Sequence, residues 1–361
     1  MAANTKMLQS PTACPPVPYQ TSQPEFALPT IISLFCGAGG LDYGFKQAGF
    51  KIAVAFDAFE AAIETHKQNF PECNAQVQDF TKVAPKDIVA EIKRTIPSHA
   101  SVAIIGGPPC QGFSRANTKS SADDPRNKLA KIYLKIIDEI KKNYNVHFVL
   151  LENVPGIKDQ KHKKNFSYIE NKLKRIGRVI FNDILNSSKF GTPQNRERVL
   201  LVSADKDLKL NKLKPEESKQ MFTVRDAIFG LPEPTYFHRN ADPRTFAEHP
   251  NHWTMQPKSK KFTQSAETAS NGRSFRKLDW DKPSPTVAYG NREIHVHPSG
   301  HRRLSIYEAM LLQGFPETFR ISGTLSQQVE QVSNAVPPPM AKSVAIALRT
   351  TLLERDNAKH T

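Results

Sequence analysis

The residues of this chain best placed for chemistry begin with Cys110. It follows the apolar run Val102-Ala103-Ile104-Ile105 in the turn Gly106-Gly107-Pro108-Pro109-Cys110-Gln111-Gly112-Phe113-Ser114. Inert cysteines usually sit within periodic apolar segments. This one sits just past a buried strand, at the edge where α/β enzymes bind ligands. A thiol with an ordinary pKa of about 8.5 is only partly ionised at neutral pH, so a nucleophilic role needs local activation. The run Leu150-Leu151-Glu152-Asn153-Val154-Pro155 puts a carboxyl at the same edge. Enclosed there and desolvated, Glu152 could donate a proton to a ring nitrogen; standing alone, it would read as the start of a loop. The segment from Phe190 to Arg198 leads into the apolar run Val199 to Val202, and strand alternation sets Gln194, Arg196 and Arg198 on one side. Three polar side chains on one face of a buried strand cost free energy unless they bind something.

A second constellation precedes these. Leu34-Phe35-Cys36-Gly37-Ala38-Gly39-Gly40 joins a predicted strand to a predicted helix, Leu41 to Ala48. Glycines there let the backbone turn sharply and approach a ligand. The turn alone fits a dinucleotide-binding dehydrogenase as well as a nucleoside-binding enzyme, although it lacks the spaced third glycine of the dinucleotide fingerprint. Asp57 ends the next predicted strand and Asp79 follows another, in Val77-Gln78-Asp79-Phe80. Each alone is an ordinary cap or loop residue; together, after a glycine turn, they point to a pocket for ribose hydroxyls and an adenine amine.

The elements that must hold these groups alternate. Ile31 to Phe35, Ile52 to Phe56, Val102 to Ile105, His147 to Leu151 and Val199 to Val202 read as buried strands, and Leu129, Ile132, Tyr133, Ile136, Ile137 and Ile140 form one helical face. The pattern is an α/β domain spanning 30–205. Residues 1–29 are polar and Pro-rich and read as a disordered tail. From 206 to 299 the rhythm breaks into Pro, Lys, Arg, His and isolated aromatics, which suggests a smaller irregular domain. Helical patterning returns in Ile306 to Gln313 and Met340 to Leu353, so residues 300–361 are expected to return to the first domain.

Composition narrows the function class. The 361 residues are 39% hydrophobic, enough for a folded core, and carry a net charge of +15, which favours a polyanionic partner. No apolar run approaches the length of a spanning helix, and no signal-peptide core follows Met1, so a cytoplasmic protein is expected. The four cysteines, Cys14, Cys36, Cys73 and Cys110, have no paired ligand spacing, and His249 and His252 lack partner ligands, so no metal is expected. Within His238 to Lys277, eight Lys or Arg stand against three acids, with Trp253, Phe262 and Phe275 interspersed. Phosphate contacts supply affinity without sequence information, so base-reading side chains must be sought among Arg239, Arg244, Asn251, His252, Lys258 and Arg273. A second basic stretch, Lys158 to Arg178, has a helical period with Ile169, Leu173 and Ile176 inward and reads as a solvated helix face.

In this order, the segments resemble the DNA (cytosine-5)-methyltransferase family in its compact bacterial restriction–modification form, over about residues 31 to 350. The match runs through Leu34 to Gly40, Gly107 to Ser114, Asp124 to Leu129, Glu152 to Val154, Gln194 to Arg198, Ser284 to Val287, Arg303 to Glu308, Leu312 to Pro316 and Ser333-Asn334-Ala335-Val336-Pro337-Pro338. It implies a Rossmann-like S-adenosylmethionine-dependent methyltransferase domain with an irregular target-recognition domain. The implied donor pocket comprises Phe35 against the adenine, Asp57 on the ribose, Asp79 on the adenine amine, and Gly37, Gly39, Gly40, Phe80, Pro109, Leu129, Asn334 and Val336. The implied catalytic set is Cys110, Glu152, Arg196 and Arg198. Cys110 would add to carbon-6 of a flipped cytosine, Glu152 would act at the ring nitrogen, and Arg198 would hold the carbonyl oxygen. Gln111, Ser114, Gln194, Thr286, Arg239, Arg244 and Arg273 are the expected DNA contacts. Duplex DNA is the implied partner of an expected monomer, with a cognate restriction endonuclease as a possible companion. Ser33, Phe59 and Ser333 depart from the residues usual in the family at their positions. An RNA-cytosine methyltransferase of the same fold and a catalytically silent DNA-binding protein are the rival readings.

Overall fold

The computed structural model describes residues 27–109, 127–210, 212–246, 248–257, 276–286 and 295–357. Its first part alternates strictly: β1 (Thr30–Leu34), α1 (Gly40–Gln47), β2 (Ile52–Asp57), α2 (Glu60–Asn69), β3 (Asn74–Val77), α3 (Pro85–Lys93), β4 (Ser101–Gly106), α4 (Asn127–Lys141) and β5 (Asn145–Asn153). Then follow α5 (Lys163–Ile176), β6 (Arg178–Asn186), β7 (Gln194–Asn195) and β8 (Glu197–Ala204). Seven strands form one sheet in the order β3-β2-β1-β4-β5-β8-β6, with parallel pairing from β3 to β5 and antiparallel pairing of β8 with both neighbours.

The continuous apolar runs arise because both faces are covered. Ile31, Ala55, Ile105 and Leu200 enter one core, while Ile32, Val54, Ile104 and Val149 enter the other. The first core also takes Leu41 and Phe45 of α1; the second takes Ile88, Ile137 and Leu173 of α3, α4 and α5.

After β8 the chain forms α6 (Val224–Ile228), α7 (Ile306–Leu312), α8 (Leu325–Asn334) and α9 (Pro338–Asn357). Helix α9 lies against α1 so closely that a Cβ on Gly44 would stand 2.5 Å from the Ala341 Cβ. Between α6 and α7 the described backbone forms two-residue strands, pairing Thr235–Tyr236 with Trp253–Thr254, Arg276–Lys277 with His295–Val296, and Ser284–Pro285 with β7. This part is pinned by buried polar contacts. Arg302 meets Glu308 through two N–H groups at 2.8 and 2.9 Å and also reaches Glu233 at 2.8 Å, and Ser305 and Glu308 form a capping box on α7. No described helix is long and apolar enough to cross a membrane.

Candidate active site

The glycine turn leaves β1 through three left-handed residues, Phe35 (φ 56°), Gly37 (φ 54°) and Gly39 (φ 86°), before Gly40 opens α1. Asp57, at the end of β2, holds the turn: its carboxylate accepts the backbone N–H of Gly37 at 2.8 Å and of Phe59 at 2.9 Å. Burial raises the Asp57 pKa, and those N–H groups partly offset it. The Phe35 ring sits 4.5 Å from that of Phe80 and 6.2 Å from that of Tyr133, giving an aromatic wall beside the turn. Asp79 stands next to Phe80, and hydrogen bonds from Thr81, with Lys82 adding to them, hold its pKa down at about 2. It is therefore a charged acceptor at neutral pH. Leu129 lies in the first turn of α4, half-buried, and Pro109 is exposed at the end of the described loop. Asn334 ends α8, exposed, and the Val336 carbonyl oxygen would stand 2.2 Å from a Cβ on Gly40.

The turn is also supported from beneath by a network that the sequence reading did not contain. Asp42 is fully buried in the first turn of α1, where it accepts from Ser33 Oγ at 2.7 Å and lies 2.7 Å from His66 Nε2. An acid two residues past Gly40, in the first turn of the predicted helix, was the available signal. Ser33 thus has a defined role as a donor to Asp42. Ligand atoms of Cys36, Asp42 and His66 approach within 4.8 Å of one another. Both Asp42 oxygens are already hydrogen-bonded, however, and burial, with Asp57 and Asp42 adding to it, pushes the Cys36 thiol well above its usual range. With Asp42 bridging Ser33 beneath the turn and His66 of α2, the cluster ties the loop to its neighbouring helix.

The second group gathers around the end of β5. Asn153 donates its Nδ2 to the Pro108 carbonyl oxygen at 3.2 Å, fixing the approach to the Pro-Cys turn. Gly107 passes so near Glu152 that a Cβ there would lie 2.6 Å from Oε2. Register places Asn153 opposite Val199 on β8, which brings Arg198 to Glu152, with Nε 2.8 Å from Oε1. Burial raises the Glu152 pKa, against the opposing pull of Arg198 and Arg196. Arg196 is buried and donates Nη2 to the Ser333 carbonyl oxygen. Gln194 is buried and donates Nε2 to the Leu312 carbonyl oxygen at 3.4 Å. The three side chains expected on one face are therefore all inward, while Asn195 and Glu197 between them are exposed. Thr286 donates to the Asn195 carbonyl oxygen at 2.8 Å beside the Ser284–Gln194 pairing.

Cys110, Gln111, Ser114, Lys258 and Arg273 lie outside the described residues. Arg239 is exposed, and exposed Arg244 forks onto its own neighbour Asp242. Two expectations need correction. Asn251 and His252, sought as base readers, are buried and fully engaged: Asn251 binds Ile321 and Gln328, while the two ring nitrogens of His252 meet Ser305 Oγ and the Pro232 carbonyl. They hold the fold and cannot reach a groove.

The profile of the family described as C-5 cytosine-specific DNA methylase matches residues 29–350. A type II methyltransferase, M.MthTI of Methanothermobacter thermautotrophicus, is 33% identical over 89% of this chain and 97% of its own length. M.FnuDI of Fusobacterium nucleatum, also a type II methyltransferase, is 31% identical over 91% of this chain and 96% of its own. Among solved structures, a prophage-encoded E. coli protein assigned as a DNA modification methyltransferase superposes with a TM-score of 0.73 at 26% identity, covering 90% of this chain and all of that one.

Proposed function

This chain belongs to the C-5 cytosine-specific DNA methylases, and we propose that Glu152 and Arg198 are the part of its active site that holds and polarises the target ring. The enzyme is a DNA (cytosine-5)-methyltransferase of the type II restriction–modification kind. The observation that carries the residue assignment is the buried Glu152–Arg198 pair at 2.8 Å, directly beneath the Gly107-Pro108 approach to Cys110.

Carbon-5 of cytosine is too weak a nucleophile to be alkylated unaided. Thiolate addition from Cys110 to carbon-6 converts the ring into an enamine with nucleophilic character at carbon-5. Glu152 supplies a proton at the ring nitrogen and so neutralises the charge that addition creates, and Arg198 holds the carbonyl oxygen. S-adenosylmethionine, when bound, supplies the electrophilic methyl. Transfer of the carbon-5 proton to a water in the site, return of the ring-nitrogen proton to Glu152 and departure of the thiolate then restore the aromatic ring. The donor pocket suits such a ligand: Gly37 has open space where a side chain would stand, Phe35 and Phe80 offer an apolar face, and Asp57 and Asp79 offer acceptors. Gly39, Gly40, Leu129, Pro109, Asn334 and Val336 complete its wall.

The target cytosine must leave the duplex stack, at a cost of a few kcal/mol. Gln111, Ser114, Gln194, Thr286, Arg239, Arg244 and Arg273 are proposed to offset it through DNA contacts, with the irregular stretch at 206–299 reading the sequence. A monomer acting on duplex DNA in the cytoplasm and nucleoid, protecting sites that a cognate endonuclease cuts, is the proposed setting.

Bisulfite sequencing of DNA from a methylation-free host expressing the gene should show methylcytosine at one short sequence. A conversion pattern identical to that of the host alone would overturn the reading.

The donor pocket carries a prediction of its own. Gly40→Ala drives a Cβ into the Val336 carbonyl, which is backbone and cannot swing away. We expect a stability loss of about 1–3 kcal/mol and donor affinity down at least about tenfold. Gly37→Ala, at φ 54° but in open space, should cost only about 1 kcal/mol of backbone strain. Thermal melts distinguish the two, and equal losses of stability would contradict the packing described; isothermal titration with S-adenosylmethionine reads the donor affinity of each, which at Gly37 falls only as far as the added methyl intrudes on the bound donor.

A further inference from the structure

Helix α8 connects three parts of the molecule. At its C-terminal end the Ser333 carbonyl oxygen accepts from Arg196, and just beyond it the Val336 carbonyl abuts Gly40 of the glycine turn. Near its start, Gln328 is buried, and both its amide oxygen and its amide nitrogen are hydrogen-bonded. Gln328 Oε1 accepts from Asn251 Nδ2 at 3.0 Å and from Trp253 Nε1 at 2.8 Å, while Nε2 donates to the Gly323 carbonyl oxygen at 2.9 Å. Asn251 is locked further, since its side chain exchanges two hydrogen bonds with the Ile321 backbone at 2.7 and 2.9 Å. The Trp253 ring packs 5.8 Å from both Phe237 and Phe246 and belongs to the short strand paired with Thr235–Tyr236. Gln328 therefore grips two residues of the irregular stretch from a helix whose other end backs the arginine strand. From Gln328 to Ser333 is five residues, about 7.5 Å of helical rise.

We propose that Gln328 is a positioning residue for target recognition. By seating Asn251 and Trp253 on α8, it fixes where the recognition stretch stands relative to the ring-holding Glu152 and Arg198. The proposal rests on the reading that residues 206–299 recognise the DNA target. A rigid seat matters because base reading and catalysis address one stretch of DNA at once, and an error of about 1 Å between the two sites is felt in the rate. The amide suits the seat: its oxygen can take two donors and its nitrogen can serve the Gly323 carbonyl, a combination that neither a carboxylate nor an apolar side chain offers.

Gln328→Met keeps the length and bulk of the side chain but leaves two buried N–H groups without their acceptor. With the full chain acting on genomic DNA from a methylation-free host, we expect the DNA KM to rise about tenfold, with donor affinity in the absence of DNA within about twofold of wild type. Bisulfite reads should show methylation spreading to sites one base removed from the wild-type sequence. Trp253→Phe, which deletes one donor and keeps an aromatic ring, provides a milder test, with a smaller rise of about threefold. In the Trp253→Phe background, Gln328→Met should cost less than it does alone, because the two share one hydrogen bond. An unchanged DNA KM and site pattern in a folded Gln328→Met protein would overturn the proposal, as would an equal loss of donor affinity, which marks general loosening. Should Gln328→Met fail to fold, an unchanged DNA KM in Trp253→Phe would overturn it. A wild-type enzyme that transfers no methyl group to DNA would instead refute the function on which the proposal stands.

Discussion

Cys110→Ser is expected to lower methyl transfer by at least about 10³-fold, on the order of 4 kcal/mol in the barrier, and to abolish covalent capture of the target base. The thiolate is accessible near neutral pH, whereas a serine hydroxyl is almost wholly protonated there and adds to carbon-6 far more slowly. DNA carrying 5-fluorocytosine separates this role from a structural one. Once Cys110 has added and carbon-5 is methylated, fluorine cannot depart as a proton does, so the thiolate cannot be expelled and the enzyme stays bonded to the base. Wild type with S-adenosylmethionine should give an adduct that survives denaturing electrophoresis, and Cys110→Ser should give none. An adduct from the serine variant would assign the nucleophile elsewhere. Cys110 lies just beyond the described residues, but its approach does not: Asn153 holds Pro108, and Gly107 crosses Glu152, so the thiol's chain neighbours are anchored to the acid that would act with it.

How much of this was legible beforehand follows from what fixes each element. Strands β1, β2, β4, β5 and β8 stand where apolar runs predicted them, because a strand covered on both faces needs apolar residues at every position. Strand β6 was invisible for the opposite reason. It is the sheet's edge, half exposed, and Asn182-Asp183 interrupts Arg178 to Asn186. The alternation of Gln194, Arg196 and Arg198 was readable as period two. That Arg198 meets Glu152 was not, since the contact depends on the register of β5 against β8 across 46 residues.

Asn251 and His252 misled for a related reason. Polar residues among Arg, Lys and aromatics suggest a wet, DNA-facing surface, yet their partners Ile321, Gln328 and Ser305 come from more than 50 residues away. Buried polar groups must be satisfied, and here long-range hydrogen bonds meet that requirement. The capping box at Ser305 and Glu308 was a local signal that could have been read; the docking of Arg302 onto Glu308 was the non-local addition.

Glu152→Gln should reduce kcat by about 10²–10⁴-fold while leaving donor and DNA binding within a few-fold of wild type. The amide keeps the shape and can still lie against Arg198, but it has no proton to transfer, so the negative charge that thiolate addition places on the ring goes uncompensated. The pH profile gives a sharper readout. Burial raises the Glu152 pKa despite the opposing pull of Arg198 and Arg196. The protonated form is the useful one, so activity should fall as pH rises through that raised value. The Cys110 requirement runs the other way, since the rate gains as the thiol ionises. The wild-type kcat/KM profile is therefore expected to be bell-shaped, and Glu152→Gln should lose the descending limb while keeping the ascending one. Arg198→Ala removes the largest influence holding the Glu152 pKa down, so the descending limb of its residual activity should move to higher pH. A Glu152→Gln enzyme that keeps both limbs, or works within threefold of wild type, would show that the carboxyl only braces Arg198 and that the ring nitrogen takes its proton from another group.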